Sequence, residues 1–202
     1  MQKRARDDHD KDEIRNSIFN AAVKIIADEG YDKLSMRKIA AAINYTPTTI
    51  YSYYSDKSQI VEDISRQIYR KIIINIKSAL EKNKTAPTDE KIRILFREFL
   101  FSITSDPEMG VAVLRSGTKA IFRVEGEPGE VENNGILILH SLLIEGQRDG
   151  IFRKLDSNIS WMLVTALIGF STNAIENQFY LDDDFPELVD IYTEMLTNSL
   201  LS

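Results

Sequence analysis

Between Ser35 and Lys57 the stretch SMRKIAAAINYTPTTIYSYYSDK gathers Thr46, Thr48, Thr49, Tyr51, Ser52 and Tyr53 around Pro47, with Arg37 and Lys57 on either side. These side chains suit a duplex better than a hydrophobic core. Hydroxyls bond to base edges or phosphates, threonine methyls and a proline ring meet thymine methyls, and the two cations neutralise phosphate charge. A well-capped surface helix fits the same pattern, so side-chain type alone leaves both readings open.

The elements around the stretch decide whether such a face can be presented. Ile14, Ile18, Ala21, Ala22, Ile25 and Ile26 form one helical stripe that stops at Gly30. Ser35 is a predicted N-cap for a helix of about two turns with Met36, Ile39, Ala40 and Ile43 inward, and Asn44 ends it because asparagine tolerates a left-handed conformation. Thr46 is a second N-cap and Pro47 takes the first helical position, opening a third helix of about two turns with Pro47, Ile50 and Tyr54 inward and Tyr51 at the margin. Asp56 caps a fourth, with Gln59 as its capping-box partner, and Ile60, Val61, Ile64, Ile68, Ile72, Ile76 and Leu80 make that helix long enough to link a head to a body. Helical patterns follow at roughly 89 to 104, 108 to 123, 130 to 149, 157 to 181 and 186 to 201, with the loop EGEPGEVENNG among them. The fold class expected is all-α, about nine helices, with no strand of useful length.

Composition narrows the function. The 202 residues are 43% apolar and 28% charged with 5 prolines, enough to fold around a substantial core. With no cysteine, thiolate metal sites, disulfides and cysteine nucleophiles are excluded for this chain. Net charge is −6, yet residues 1 to 58 hold ten Lys or Arg against nine Asp or Glu, and the remainder fifteen against twenty-two. The head is the less acidic part, and local potential governs contact with phosphates. Met1 to Asp12 alternates basic and acidic residues, reading as a short flexible tail without an export signal. The longest apolar run, Trp161 to Phe170, is shorter than the roughly 20 residues of a membrane span. A cytoplasmic protein with no membrane contact is expected.

Three short helices with a tight turn between the second and third describe a helix-turn-helix head. The segment LSMRKIAAAINYTPTTIYSYYSDKSQIVEDI resembles the DNA-binding head of the TetR family of one-component transcriptional regulators, through Ser35, Ile39-Ala40, Thr46, Ile50-Tyr51, Tyr54 and Lys57 in register with Gly30-Tyr31. The resemblance covers about residues 11 to 64; beyond it only the helical plan and IEGQRDGIF at 144 to 152 are similar. It implies base-edge contacts from Pro47, Thr48, Thr49 and Tyr51, and phosphate contacts from Arg37, Thr46, Ser52, Tyr53 and Lys57. The family usually carries glycine where Asn44 stands, a small residue or valine at Tyr45, and Phe at Tyr54, whose hydroxyl needs a partner here.

The resemblance also implies a DNA-binding domain over 1–58, an effector-binding and dimerisation domain over 59–202, a palindromic operator bound by a homodimer, and release by a small-molecule effector. Trp161 to Ile175 is apolar on more than one helical face, so one side can pack on its own body. The other, with Leu188, Ile191, Tyr192, Met195 and Leu196, can meet a second subunit as a four-helix bundle. Candidate effector-binding residues are Phe96, Phe99, Ile103, Leu114, Phe122 and Trp161, with Asn173, Glu176 and Asn177 as polar groups at helical spacing. His140, on an apolar stripe, reads as a core or interface histidine, and no metal or cofactor is expected. An all-helical enzyme is the weaker alternative, since no phosphate-cradling glycine loop, HExxH or nucleophile elbow occurs. A helical interaction module without DNA binding is the other, and Arg37, Lys57 and the threonine face argue against it.

Overall fold

A computed structural model describes residues 2–116 and 135–202, the side chains of 2–10, 115 and 116 excepted. Nine α-helices lie among the described residues: α1 (Gln2–Glu29), α2 (Met36–Ala42), α3 (Pro47–Tyr51), α4 (Lys57–Lys82), α5 (Thr88–Thr104), α6 (Pro107–Ser116), α7 (Gly135–Arg148), α8 (Ile159–Glu176) and α9 (Phe185–Asn198). Extended pairing among them is confined to one isolated bridge between Phe152 and Leu201. Helix α1 begins at Gln2, where the sequence suggested a flexible tail.

The described residues form two compact units. The first comprises 2–68 with 108–116, the second 69–107 with 135–202, and the chain passes between them within α4. In the first unit α2 packs against both α1 and α3. Its core holds Ile18, Ala22, Ile26, Ile39, Ile50, Ile60 and Ile64 from the inward sides of the four helices and Leu34 and Tyr54 from the segments between them, and Ala112 and Val113 of α6 are buried as well.

In the second unit α5 packs against α7, α8 and α9, burying Phe96, Leu100, Ile103, Leu139, Leu143, Leu163, Leu167 and Val189. Phe170 stacks on Tyr192 with centroids 4.4 Å apart, and Tyr192 donates to the Ala166 carbonyl at 2.8 Å, locking α8 to α9. The IEGQRDGIF stretch is a tight reversal. Gly150 turns the chain at φ 73, and a Cβ on Gly146 would lie 2.1 Å from the Phe152 ring, so only glycine lets that ring seat on α7. Arg153 N–H then donates to Leu200 and Ser202 N–H to Ile151, tying the chain's end to the same corner.

Several boundaries differ from expectation. The expected helix to 181 stops at Glu176, because Gln178 turns left-handed at φ 60 and Phe179–Leu181 forms a separate 3-10 turn. The pattern at 108 to 123 is helical through Ser116, its remainder lying outside the described residues, as does nearly all of EGEPGEVENNG. Helix α8 is, by length and composition, apolar enough to cross a membrane. The core helix of a soluble protein meets the same criterion, and 39% of this stretch is buried.

Candidate nucleic-acid interface

The exposed face centred on α3 rests on three caps that the sequence encodes locally. Ser35 Oγ accepts from Lys38 N–H at 3.2 Å and starts α2; Thr46 Oγ1 accepts from Thr49 N–H at 3.3 Å and starts α3. Asp56 Oδ1 accepts from the N–H groups of Ser58 and Gln59, at 2.7 and 3.1 Å, and starts α4. Gln59 does reach back, but its carbonyl oxygen takes the Ser55 N–H at 2.8 Å, one residue before the expected partner. Between α2 and α3, Asn44 stands at φ 58, supplying the left-handed turn for which the TetR-like pattern usually has glycine.

Behind that face, three polar side chains fix the helices to one another. Tyr54 is 2% exposed, and its hydroxyl donates to Asp63 at 3.1 Å while accepting from Arg15 Nε at 3.2 Å. Arg15 closes the triangle with a 2.5 Å ion pair to Asp63, its guanidinium 5.1 Å from the Tyr54 ring centroid. The hydroxyl that distinguishes Tyr54 from Phe is therefore fully engaged. Burial raises the Tyr54 pKa above the ordinary tyrosine value, and the hydrogen bond to Asp63 raises that of Arg15. Lys38 pairs with Glu29, joining α2 to α1.

The residues named from the sequence fall as follows. Thr46, Pro47, Thr48, Tyr51 and Ser52 are exposed, Thr49 and Tyr53 half-buried, and Arg37 exposed on α2. Tyr51 stands 57% open to solvent. Among the described residues the hydroxyls of Thr48, Tyr51 and Tyr53 and the guanidinium of Arg37 make no hydrogen bond or ion pair. Thr46, Thr49 and Ser52 are partly committed: Thr46 and Thr49 share a 3.0 Å hydroxyl contact, and Ser52 donates to the Thr49 carbonyl at 2.6 Å. Lys57 lies half-buried over the Tyr31 ring, 4.2 Å from its centroid, and donates to the Tyr31 carbonyl at 3.4 Å. That leaves its ammonium two further donors.

One reading of this region is corrected. Pro47 is exposed instead of inward, because α3 spans only five residues and its buried side is filled by Ile50 alone. Tyr45, where the TetR-like pattern usually has a small residue or valine, stands 45% exposed just before α3. Its signal in the sequence was a large ring immediately after a left-handed turn residue, where no inward stripe passes.

The effector candidates are distributed over both units. Phe96, Phe99 and Ile103 are core of the second unit, whereas Leu114 belongs to α6 in the first, and Phe122 lies outside the described residues. Trp161 is 45% exposed on α8. Asn173, Glu176 and Asn177 are all exposed near the C-terminal end of α8, where the Asn177 amide caps the Asn173 carbonyl at 3.1 Å. His140 is exposed as well, 3.5 Å from Ser160 Oγ, and so is no core histidine. Among the described residues no group of three or more His, Asp or Glu could hold a metal. An open cleft of about 510 Å³ that the sequence did not flag lies between Phe101 and Thr104 of α5 and the Tyr180–Pro186 segment, with Asp182, Asp183 and Phe185 on its wall.

Comparison with known proteins bears on this geometry. Residues 18–64 match the model of the bacterial regulatory proteins of the tetR family, described by its N-terminal region. An uncharacterised HTH-type transcriptional regulator of Haemophilus influenzae is 25% identical over 97 residues, 48% of this chain, and the match spans about half, 51%, of that relative's length. The fatty acid metabolism regulator protein of Bacillus subtilis is 22% identical over 152 residues, 75% of this chain and 77% of the relative. Among solved structures, the fatty acid degradation regulator FadR of Bacillus halodurans superposes with a TM-score of 0.71 at 25% identity, covering 91% of this chain and 94% of that one.

Proposed function

We propose that the chain is a DNA-binding transcription regulator of the TetR type, as the match over residues 18–64 and the similarity to known regulators support, and that it represses transcription as a homodimer on a palindromic operator. The observation that carries this reading is the exposed, unpartnered side of α3 and its flank: Thr48 and Tyr51 beside Arg37. In the proposed complex α3 enters the major groove, Pro47, Thr48, Thr49 and Tyr51 meet base edges, and Arg37, Thr46, Ser52, Tyr53 and Lys57 hold phosphates. Residues 1–58 form the DNA-binding domain and 59–202 the effector and dimerisation domain. The protein acts in the cytoplasm by binding, with no catalytic step.

Dimerisation is supported by large apolar side chains left in solvent: Met162 on α8, and Leu188, Ile191 and Met195 on α9, with Met162, Ile191 and Met195 each more than half exposed. A soluble chain seldom leaves such a cluster open without a partner. The proposed partner is the same pair of helices from a second copy.

A small-molecule effector bound by the second unit ends repression to the extent that it favours the DNA-incompetent arrangement. The two Bacillus relatives are regulators of fatty acid metabolism and of fatty acid degradation; we take the same process as the one regulated here.

Selection of bound duplexes from random DNA tests the proposal. It should return two inverted half-sites whose centres lie about one helical turn, roughly 34 Å, or a multiple of it apart. No enrichment, or an enriched site without two-fold symmetry, would refute it.

A further inference from the structure

The cleft between α5 and the Tyr180–Pro186 segment lies wholly within the second unit, whereas the DNA face belongs to the first. Its volume of about 510 Å³ falls in the range of small-molecule sites, roughly 300–1,000 Å³. Aromatic rings form much of its wall. Phe101 and Phe185 meet at 87° with centroids 6.1 Å apart, and Phe170 stacks on Phe185 at 6.3 Å, which fixes the corner that the first two rings make. Tyr180 adds a third lining ring, half-buried, whose hydroxyl makes no hydrogen bond among the described residues.

The chain that builds this wall carries charge of one sign. From Leu155 to Ser202 the sequence holds eight Asp or Glu and no Lys or Arg. Asp182 and Asp183 line the cleft and are exposed, and among the described residues their carboxylates make no hydrogen bond or ion pair. Two cations stand near. Arg97 lies over the Phe101 ring, 5.4 Å from its centroid, but it pairs with Asp190 and does not line the cleft. Lys71 donates to the Oγ of Ser105, a lining residue, at 3.0 Å. Neither pairs with Asp182 or Asp183, so the cleft combines aromatic surface with uncompensated negative charge.

We infer that the cleft binds a small organic cation, an alkylammonium whose methylated head packs against the rings of Phe101, Tyr180 and Phe185 while Asp182 and Asp183 balance its charge. A ring face attracts a cation through its quadrupole, and a head wrapped in methyl groups has no N–H that must find an acceptor. Other occupants fit less well. An anion would meet two unpaired carboxylates, and a neutral apolar ligand would leave them uncompensated beside it. A calcium ion takes about six to eight oxygen ligands, and no group of three or more His, Asp or Glu among the described residues could hold a metal. Charge complementarity and the ring lining therefore select the same occupant. The site goes beyond the repression proposed above and requires neither the operator nor the dimer.

Titration calorimetry of the full chain with choline, at constant ionic strength, tests the site against the uncharged isostere in which a tert-butyl group replaces the trimethylammonium. Choline should bind at least about tenfold more tightly than the isostere, which has its shape without its charge. Replacing both carboxylates, by Asp182→Asn with Asp183→Asn, should weaken choline by about tenfold and leave the isostere as it was. Those two side chains are exposed and unpaired, so the thermal midpoint of the double variant should match the parent's. Tyr180→Leu gives a second reading should the double variant fold poorly: it keeps apolar area but removes a ring face, and should weaken choline by about threefold or more and the isostere by less. Equal affinity for the two compounds, no measurable binding of choline, choline affinity unchanged in the double variant, or an equal loss for both compounds in Tyr180→Leu would each overturn the inference.

Discussion

Tyr54 illustrates how one oxygen atom alters what a buried ring must do. A phenylalanine there would need only apolar neighbours, whereas the tyrosine brings a hydroxyl that Arg15 and Asp63 satisfy from α1 and α4. Tyr54→Phe removes both hydroxyl bonds but keeps the Arg15–Asp63 pair, so unfolding in urea should show a loss of about 1 kcal/mol. An unchanged midpoint would mean the triangle contributes nothing to stability. The buried hydroxyl also couples folding to pH. Tyr54, Tyr69 and Tyr192 all have pKa values raised by burial. A group whose folded value lies above its unfolded value contributes stability that is fully present below about pH 10 and lost as pH rises through the folded value. The thermal midpoint should therefore fall progressively above pH 10, and less steeply in Tyr54→Phe than in the parent chain. A flat profile to pH 12 would contradict the assignment.

At the scale of elements, what was legible in the sequence was whatever depends on three or four neighbouring residues. The caps at Ser35, Thr46 and Asp56 and the turn at Asn44 are of that kind, because an N-cap's partner is its own chain two or three residues on. Asn44 is the sharpest case. Asn44→Val should cost about 1–2 kcal/mol, the penalty for a left-handed residue lacking asparagine's local hydrogen bonding, while Asn44→Gly should stay close to the parent; a valine variant as stable as the parent would mean the turn is not left-handed. Gly146→Ala should lose about 1–3 kcal/mol by overpacking, since its new methyl group would collide with the Phe152 ring. Calorimetry of that variant against Gly150→Ala separates a packing clash from a backbone one. What the local pattern did not reveal was length and burial set at a distance. Helix α3 ends after five residues, with Pro47 exposed, and Leu114 of α6 belongs to the first unit.

For the whole molecule, the hardest distinction was between an apolar residue that faces its own core and one that awaits a partner. Periodicity identified α8 as apolar on two sides, but residue type does not say which side carries a ligand and which a second chain. Trp161, a candidate for pocket lining, is 45% exposed, and the proposed dimer rests instead on Met162, Ile191 and Met195, each more than half exposed. The DNA face was more legible, because hydroxyl-rich residues on a capped helix have no use in a core, and Thr48 and Tyr51 make no contact that would occupy them. That face is the central claim, and anisotropy of a labelled operator, titrated across a range of salt, tests it most directly. Thr48→Ala and Tyr51→Ala should each weaken the specific complex by about 1–3 kcal/mol, with non-specific duplex bound as before and the dimer intact. Arg37→Ala should weaken both duplexes and lower the salt slope by about one. Operator binding by Thr48→Ala and Tyr51→Ala at the parent's affinity would contradict the account.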